Sequence, residues 1–264
     1  MLPILDLYYT YIPTYGLMAV LGFVLAILLF VHTAKGYQIP TCDVLFASIY
    51  GMVGVGIGAK FLYFLTKAPR VLVKFDVFMA YPWESLLYLF GGWVFYGGLI
   101  GGAVGMIIYC KKFNMDVWKF GDAIAPAIPF FHVFGRIGCH LAGFCYGMEY
   151  HGPFAVTFPF NEFNTESAGV SRVPTQLMEV SFNFILFLVL YFYIKNKPKP
   201  GRPLGIYLVA YSIMRFSIEF FRGDVGRGGF LLLSTSQWIS LALLPVGLML
   251  ILMNVKQEKC QNEL

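Results

Sequence analysis

Arg136 stands in Phe131–Gly147, FHVFGRIGCHLAGFCYG, an otherwise largely apolar stretch that packs Gly135, Gly138, Gly143 and Gly147 around it. A guanidinium in hydrocarbon costs ~2.5–3.5 kcal/mol at a helix centre, so it normally faces a polar cavity. Glycines at this density let a ligand or a second backbone approach closely. Together they predict Arg136 held in a non-helical, close-packed loop, a geometry suited to an anionic headgroup and tolerated at membrane depth only inside protein.

A second charged group is Arg215, Glu219 and Arg222 in MRFSIEFFR, at i, i+4 and i+7. That spacing predicts one helix face, with Glu219 able to pair with either arginine. A salt-bridged stripe between helices is the structural alternative, but ionisable groups near membrane depth read as function by default, and an anion site is the preferred reading. Gln176 and Glu179 in PTQLME fall at a helix start signalled by Pro174. Asp122, after Gly121, reads as an intramembrane acid or a cap of its own helix.

Tyr96 lies in GGWVFYGGLIGGAVG beside Gly97 and Gly98. The small-xxx-small spacing of that run accounts for most of its glycines as helix-packing positions. A phenol at mid-membrane needs a hydrogen-bond partner, so Tyr96 either lines a cavity or bonds a neighbouring carbonyl. Tyr15, in TYGLM, reads as an interface anchor at the start of a span. His132, Cys139, His140, Cys145 and His151 match no compact ligand pattern, so no metal is expected. Cys139 and Cys145 have the option of being reactive thiols, although buried cysteines are usually inert.

The elements that must position these residues follow from composition. The chain has 264 residues, 58% hydrophobic and only 12% charged, with mean hydropathy +0.70. Soluble domains carry about 25% charged residues, so this is a membrane protein. The net charge of +5 lies mainly in short loops, which is a topology signal and not a nucleic-acid footprint. Five cysteines without CxxC imply neither a disulfide framework nor a zinc ribbon. The N-terminus lacks a basic leader region, so no cleavable signal peptide is expected.

Spans of ~20 apolar residues are predicted at about 15–34, 43–66, 85–110, 117–134, 176–194, 204–221 and 235–254, making an all-α protein with seven transmembrane helices. One side carries Lys35, Lys111, Lys112, Lys119, Lys195, Lys197, Lys199, Arg202, Lys256 and Lys259. The other carries Lys67, Arg70, Lys74, Arg136, Arg172, Arg222 and Arg227, partly offset by Asp76, Glu84, Glu149, Glu162, Glu166 and Asp224. The positive-inside rule then predicts the N-terminus out and the C-terminus in. Phe61–Glu84 is predicted as an outside loop along the interface. Residues 148–173, with the β-like HGPFAVTFPF, are predicted as an extracytoplasmic cap. The whole of 1–264 is expected to be a single integral-membrane domain.

TYGLM, FYGGLIGG, GRIGCHLAGFCYG, PTQLME, LGIYLVAYSIMRFSIEFFRGD and STSQWISL, in that order along the chain, resemble the landmarks of the prolipoprotein diacylglyceryl transferases. The resemblance covers nearly the whole chain. It implies transfer of the diacylglyceryl group of phosphatidylglycerol to the lipobox cysteine thiol of a prolipoprotein, with release of glycerol phosphate and without a cofactor. It implies phosphate-binding roles for Arg136 and Arg215, supported by Glu219 and Arg222. Tyr96 would act in catalysis, and Tyr15, Gly97, Gly98, Gly135, Gly138 and Gln176 would line the lipid site. The implied location is a bacterial plasma membrane, with the site toward the outer leaflet. The chain departs from the family pattern where His usually precedes GGL (Tyr96), where Asn usually follows GRxG (Cys139), at a later acidic position (Phe144) and at a His before PxQL (Val173). Two further readings remain at this level: an enzyme using the same lipid with another acceptor, and a non-catalytic lipid-binding or transport protein.

Overall fold

A computed structural model describes residues 4–6, 11–73, 75–160, 168–223, 229–230 and 233–253. Apolar runs become helices because hydrocarbon offers the backbone no partner, so each segment must satisfy its own N–H and C=O groups. After a small ribbon, β1 (Ile4–Asp6) with β2 (Tyr11–Pro13), come α1 (Thr14–Gly36) and the long α2 (Thr41–Val73). There follow α3 (Phe75–Ala80), α4 (Pro82–Phe90), α5 (Phe95–Lys112), α6 (Val117–Ile124) and α7 (Ala127–Ala142). A two-stranded ribbon, β3 (Val156–Thr157) with β4 (Ser171–Arg172), precedes α8 (Thr175–Lys195) and α9 (Arg202–Ile218). Another, β5 (Gly229–Phe230) with β6 (Leu233–Ser234), leads into α10 (Thr235–Leu252). The start of α10 is a capping box: the Gln237 N–H donates to Ser234 Oγ at 3.2 Å and the Ser234 N–H donates to Gln237 Oε1 at 2.9 Å.

Among the described residues, five helices are long and apolar enough to cross a membrane: Thr14–Gly36, Thr41–Pro69, Thr175–Lys195, Arg202–Phe221 and Thr235–Leu252. They turn large apolar side chains outward, as α1 does with Val20, Leu21, Val24 and Leu28. Two of the expected continuous spans are broken. The 85–110 run divides at Gly91–Val94, where Val94 is extended, into α4 and the 18-residue α5. The 117–134 run divides at Ala125–Pro126, where the proline has no N–H to continue the ladder of α6. The expected outside loop at Phe61–Glu84 is mostly helical, formed by the end of α2, α3 and the start of α4. Its Tyr81 and Trp83 are exposed. Lys74, Glu162, Glu166, Asp224, Arg227, Lys256 and Lys259, which entered the orientation argument, lie outside the described residues.

Helix packing gathers the chain into two compact units. One unit holds α1 and everything from Trp118 to the end of α10, packed as α1 on α7, α7 on α8, α8 on α9 and α9 on α10. Its core includes the fully buried Leu190 with Leu186 and Tyr207. Asp122 does not cap its own helix. Its carboxylate accepts the Gly201 N–H at 3.0–3.1 Å and tethers the chain just before α9. The other unit, Ile39–Val117, is built on α2 against α5. A Cβ on Gly101 would meet the backbone of Gly54 and Gly58, and one on Gly97 would meet the Gly58 carbonyl and Leu62. The packing reading of these glycines is the structural one.

Candidate active site: an arginine cluster on a buried carboxylate

Arg136 lies within α7 and not in a loop, which corrects the glycine-based expectation. Each glycine in that stretch serves a different end. Gly138 lets α1 approach, since a Cβ there would stand 3.1 Å from Met18 Cβ and 3.3 Å from Tyr15 Cα. A Cβ on Gly135 would meet open space. Gly143, at φ +76°, ends the helix: its N–H donates to His140 O, and the Phe144 N–H reaches back to Cys139 O at 2.9 Å. This is a Schellman closure, which reverses the chain at once. Gly147 then runs as the middle of three backbone segments, donating to Val173 O while Met148 donates to Phe221 O. A Cβ on Gly147 would strike the Val173 carbonyl.

At this junction the charged side chains converge on Glu179, in the second turn of α8. Arg136 Nε lies 2.8 Å from Glu179 Oε2. Arg215 Nη1 and Arg222 Nη1 lie 3.4 and 3.6 Å from Oε1. Arg215 also pairs with Glu219 at 2.9 Å and donates from Nη2 to Ser236 Oγ at 3.1 Å. Glu179 is 1% exposed, so nearly all of its compensation comes from these guanidinium groups. The predicted i, i+4 pair of Arg215 and Glu219 is present. Arg222 is not on that helix face, however, because α9 closes in a 3₁₀ turn over Glu219–Phe221 and Arg222 is extended. It reaches Glu179 from the returning chain, where it bridges Gly147. Arg172 comes in from β4, its guanidinium 4.3 Å from the Tyr146 ring centre.

One turn along the same helices lies a second polar layer. His132 on α7 meets Asn183 on α8, and the His132 ring centre is 5.2 Å from that of Tyr211 on α9. Asn183 donates to the Glu179 carbonyl at 2.7 Å.

Gln176 and Thr175, both 0% exposed, hold the loop after α7: Gln176 Nε2 donates to Phe144 O at 2.7 Å and Thr175 Oγ1 to Cys145 O at 3.0 Å. Tyr15, half exposed on the first turn of α1, covers Gly138. Tyr96, Gly97 and Gly98 belong to α5 in the other unit, where Gly97 and Gly98 pack on α2. After β3, Phe158 is buried against His140, ring centres 5.8 Å apart. No group of three metal-ligating side chains occurs among the described residues.

Sequence reasoning gave Glu179 no role in the site, although it is the residue the three arginines share. The signal was there: Gln176, Glu179 and Asn183 at i, i+3 and i+7 make one polar stripe on an apolar helix.

Arg136, Arg215 and Arg222 against Glu179 and Glu219 leave one formal positive charge in the cluster. Fold and cluster together define a helical membrane protein with a buried site of net positive charge, the sign that suits an anionic group. Comparison with known proteins narrows the class. The family model described as prolipoprotein diacylglyceryl transferase matches residues 4–253, and the chain belongs to that family. It is 36% identical, over 89% of this chain and 90% of the relative, to a phosphatidylglycerol–prolipoprotein diacylglyceryl transferase of Clostridium tetani. It is 37% identical to an enzyme of Clostridium perfringens named phosphatidylglycerol–prolipoprotein diacylglyceryl transferase 2, over 96% of this chain and 94% of the relative. A Pasteurella multocida enzyme with the first of these names is 35% identical over 90% and 86%.

Proposed function

We propose that this chain transfers the diacylglyceryl group of phosphatidylglycerol to the lipobox cysteine thiol of a prolipoprotein, at the outer half of a bacterial plasma membrane. The observation that carries the reading is the convergence of Arg136, Arg215 and Arg222 on Glu179. A phosphodiester brings one negative charge to a site where three guanidinium groups meet. In the reaction the acceptor thiol loses its proton to water, the thiolate attacks the glyceryl carbon, a C–S bond forms, and the C–O bond to phosphate breaks with its electron pair leaving on glycerol phosphate. Negative charge grows on that leaving group, and guanidinium donors already fixed in place stabilise it without reorganisation. Glu179 and Glu219 hold the arginines at the required spacing. Tyr15 and Gly135 are assigned to the lipid site, and Gly138 and Gln176 shape it. Gly97 and Gly98 are assigned to the same reaction on the family pattern, and Tyr96 on its position in that pattern, where His is usual.

In this reading α5 and α7 complete seven spans, with the N-terminus outside, the C-terminus inside and both packing units within one membrane transferase. The test is purified protein with labelled phosphatidylglycerol and a lipobox peptide. Transfer of label to the peptide is expected. Arg136→Lys should insert normally yet lose turnover, because an ammonium cannot reproduce the planar fork. Lipid binding without transfer would make the chain a lipid-binding protein.

A further inference from the structure

Beside the arginine cluster, Cys139 and Cys145 are both free thiols, the first buried and the second partly exposed. The Schellman closure at Gly143 folds the chain back so that the two thiols share a hydrogen bond, and Cys145 makes another with Arg222. The fold spends strain and hydrogen bonds on this arrangement. Cys145 is held at φ +60°, a left-handed conformation that costs a non-glycine residue of order 1 kcal/mol or more. Thr175 and Gln176 grip the carbonyls of Cys145 and Phe144 from α8. Cys145 lies beyond the end of α7. Its thiol is drawn below the ordinary cysteine range by the bond to Cys139 and the charges of Arg222 and Arg136, against the opposing effect of burial.

We propose that Cys139 and Cys145 are an oxidisable dithiol, a reversible modification site at which a small-molecule disulfide closes an intramolecular disulfide beside the arginine cluster. The roles follow from access and charge. Cys145, partly exposed and next to Arg222, is the attacking thiolate. It displaces one thiol from the reagent and forms a mixed disulfide. Cys139, within reach through the reversed loop, attacks that bond at Cys145 and releases the second thiol. Both protein sulfurs are oxidised, the reagent is reduced to two thiols, and the two protons leave on them. The new bond takes the Cys145 thiol from Arg222, a guanidinium that contacts Glu179. Loss of one hydrogen bond to a charged group corresponds to about a tenfold fall in lipid turnover. That consequence rests on the proposed transferase reading. The disulfide itself does not.

The experiment exposes reduced protein in nanodiscs to hydroxyethyl disulfide and reads the 137–172 tryptic peptide by mass. Loss of two hydrogens in that peptide, reversed by dithiothreitol, is expected. In Cys139→Ser the reaction should stop at a mixed disulfide on Cys145. In Cys145→Ser the Cys139 thiol should stay free. If both thiols of the wild type still react with N-ethylmaleimide after the exposure, or if Cys139→Ser gathers no adduct on Cys145, the proposal is overturned. Oxidised protein that turns over lipid at the reduced rate removes the effect on the cluster. Reduced protein that never transfers lipid counts against the transferase reading, and the mass result stands apart from it.

Discussion

At the scale of single residues, Glu179 decides whether the site can exist. Three guanidinium groups approach a carboxylate with almost no solvent contact, so each depends on it for its desolvation to be offset. Removing one member of a buried ion pair typically costs ~3–5 kcal/mol, because the partner is left charged and uncompensated. Glu179→Gln keeps the shape and removes the charge. It is expected to abolish lipid turnover and to lower the thermal midpoint in detergent, whereas Glu219→Gln, which leaves Arg215 paired with Glu179 and Ser236, should cost less on both readings. Equal losses would show that the arginines are not organised about Glu179. Tyr96→Phe is expected to lower turnover by about 10²-fold, the low end for a positioned proton-transfer group, with the folded fraction unchanged. Equal activity of wild type and Tyr96→Phe between pH 6 and 9 would reduce that position to packing.

The helices themselves were legible in the sequence where the apolar signal was continuous, and illegible where two local rules competed. Around Arg136 the glycines argued for a loop, yet the helix persists through both Gly135 and Gly138, of which only Gly138 lies under a neighbouring helix. Gly143 is the only one of the group that breaks the ladder, through its left-handed φ, and nothing in residue type alone separates it from Gly138. Arg222 was misplaced for a related reason: an i+7 spacing assumes a helix that here stops at Ile218. The glycines of α5 were read correctly as packing positions, and they yield a prediction. Valine at Gly101 would put side-chain atoms into the backbone of Gly54 and Gly58, which cannot give way as a flexible side chain would. Gly101→Val is expected to destabilise by ~3 kcal/mol, the upper range for overpacking, and to fall out of detergent extracts on mild heating. Gly56→Ala is the control. A Cβ there meets nothing within 4 Å, so its melting curve should not fall below that of the wild type.

For the whole molecule, the question that matters is which face of the membrane the site addresses. The 21-residue α8 is about 31 Å long at 1.5 Å per residue, enough for the hydrocarbon core, so its two ends lie on opposite sides. Glu179 and the Cys145 loop are at its N-terminal end, followed in the chain by the segment that carries Phe154. At its C-terminal end is KNKPKPGR, whose lysines are the densest basic run in the described chain. Short loops rich in Lys and Arg stay in the cytoplasm, so the arginine cluster should open toward the outside. An acceptor that has crossed the membrane as part of an exported precursor would meet it there. Lys197→Cys, in the basic loop, should therefore be shielded from a membrane-impermeant maleimide in intact cells and react only after lysis. Phe154→Cys, at a position 91% exposed between α7 and α8, should be labelled before lysis at a rate above that of the unsubstituted protein. The reverse pattern would turn the protein over, place the arginine cluster on the cytoplasmic side, and leave a translocated lipobox thiol out of its reach.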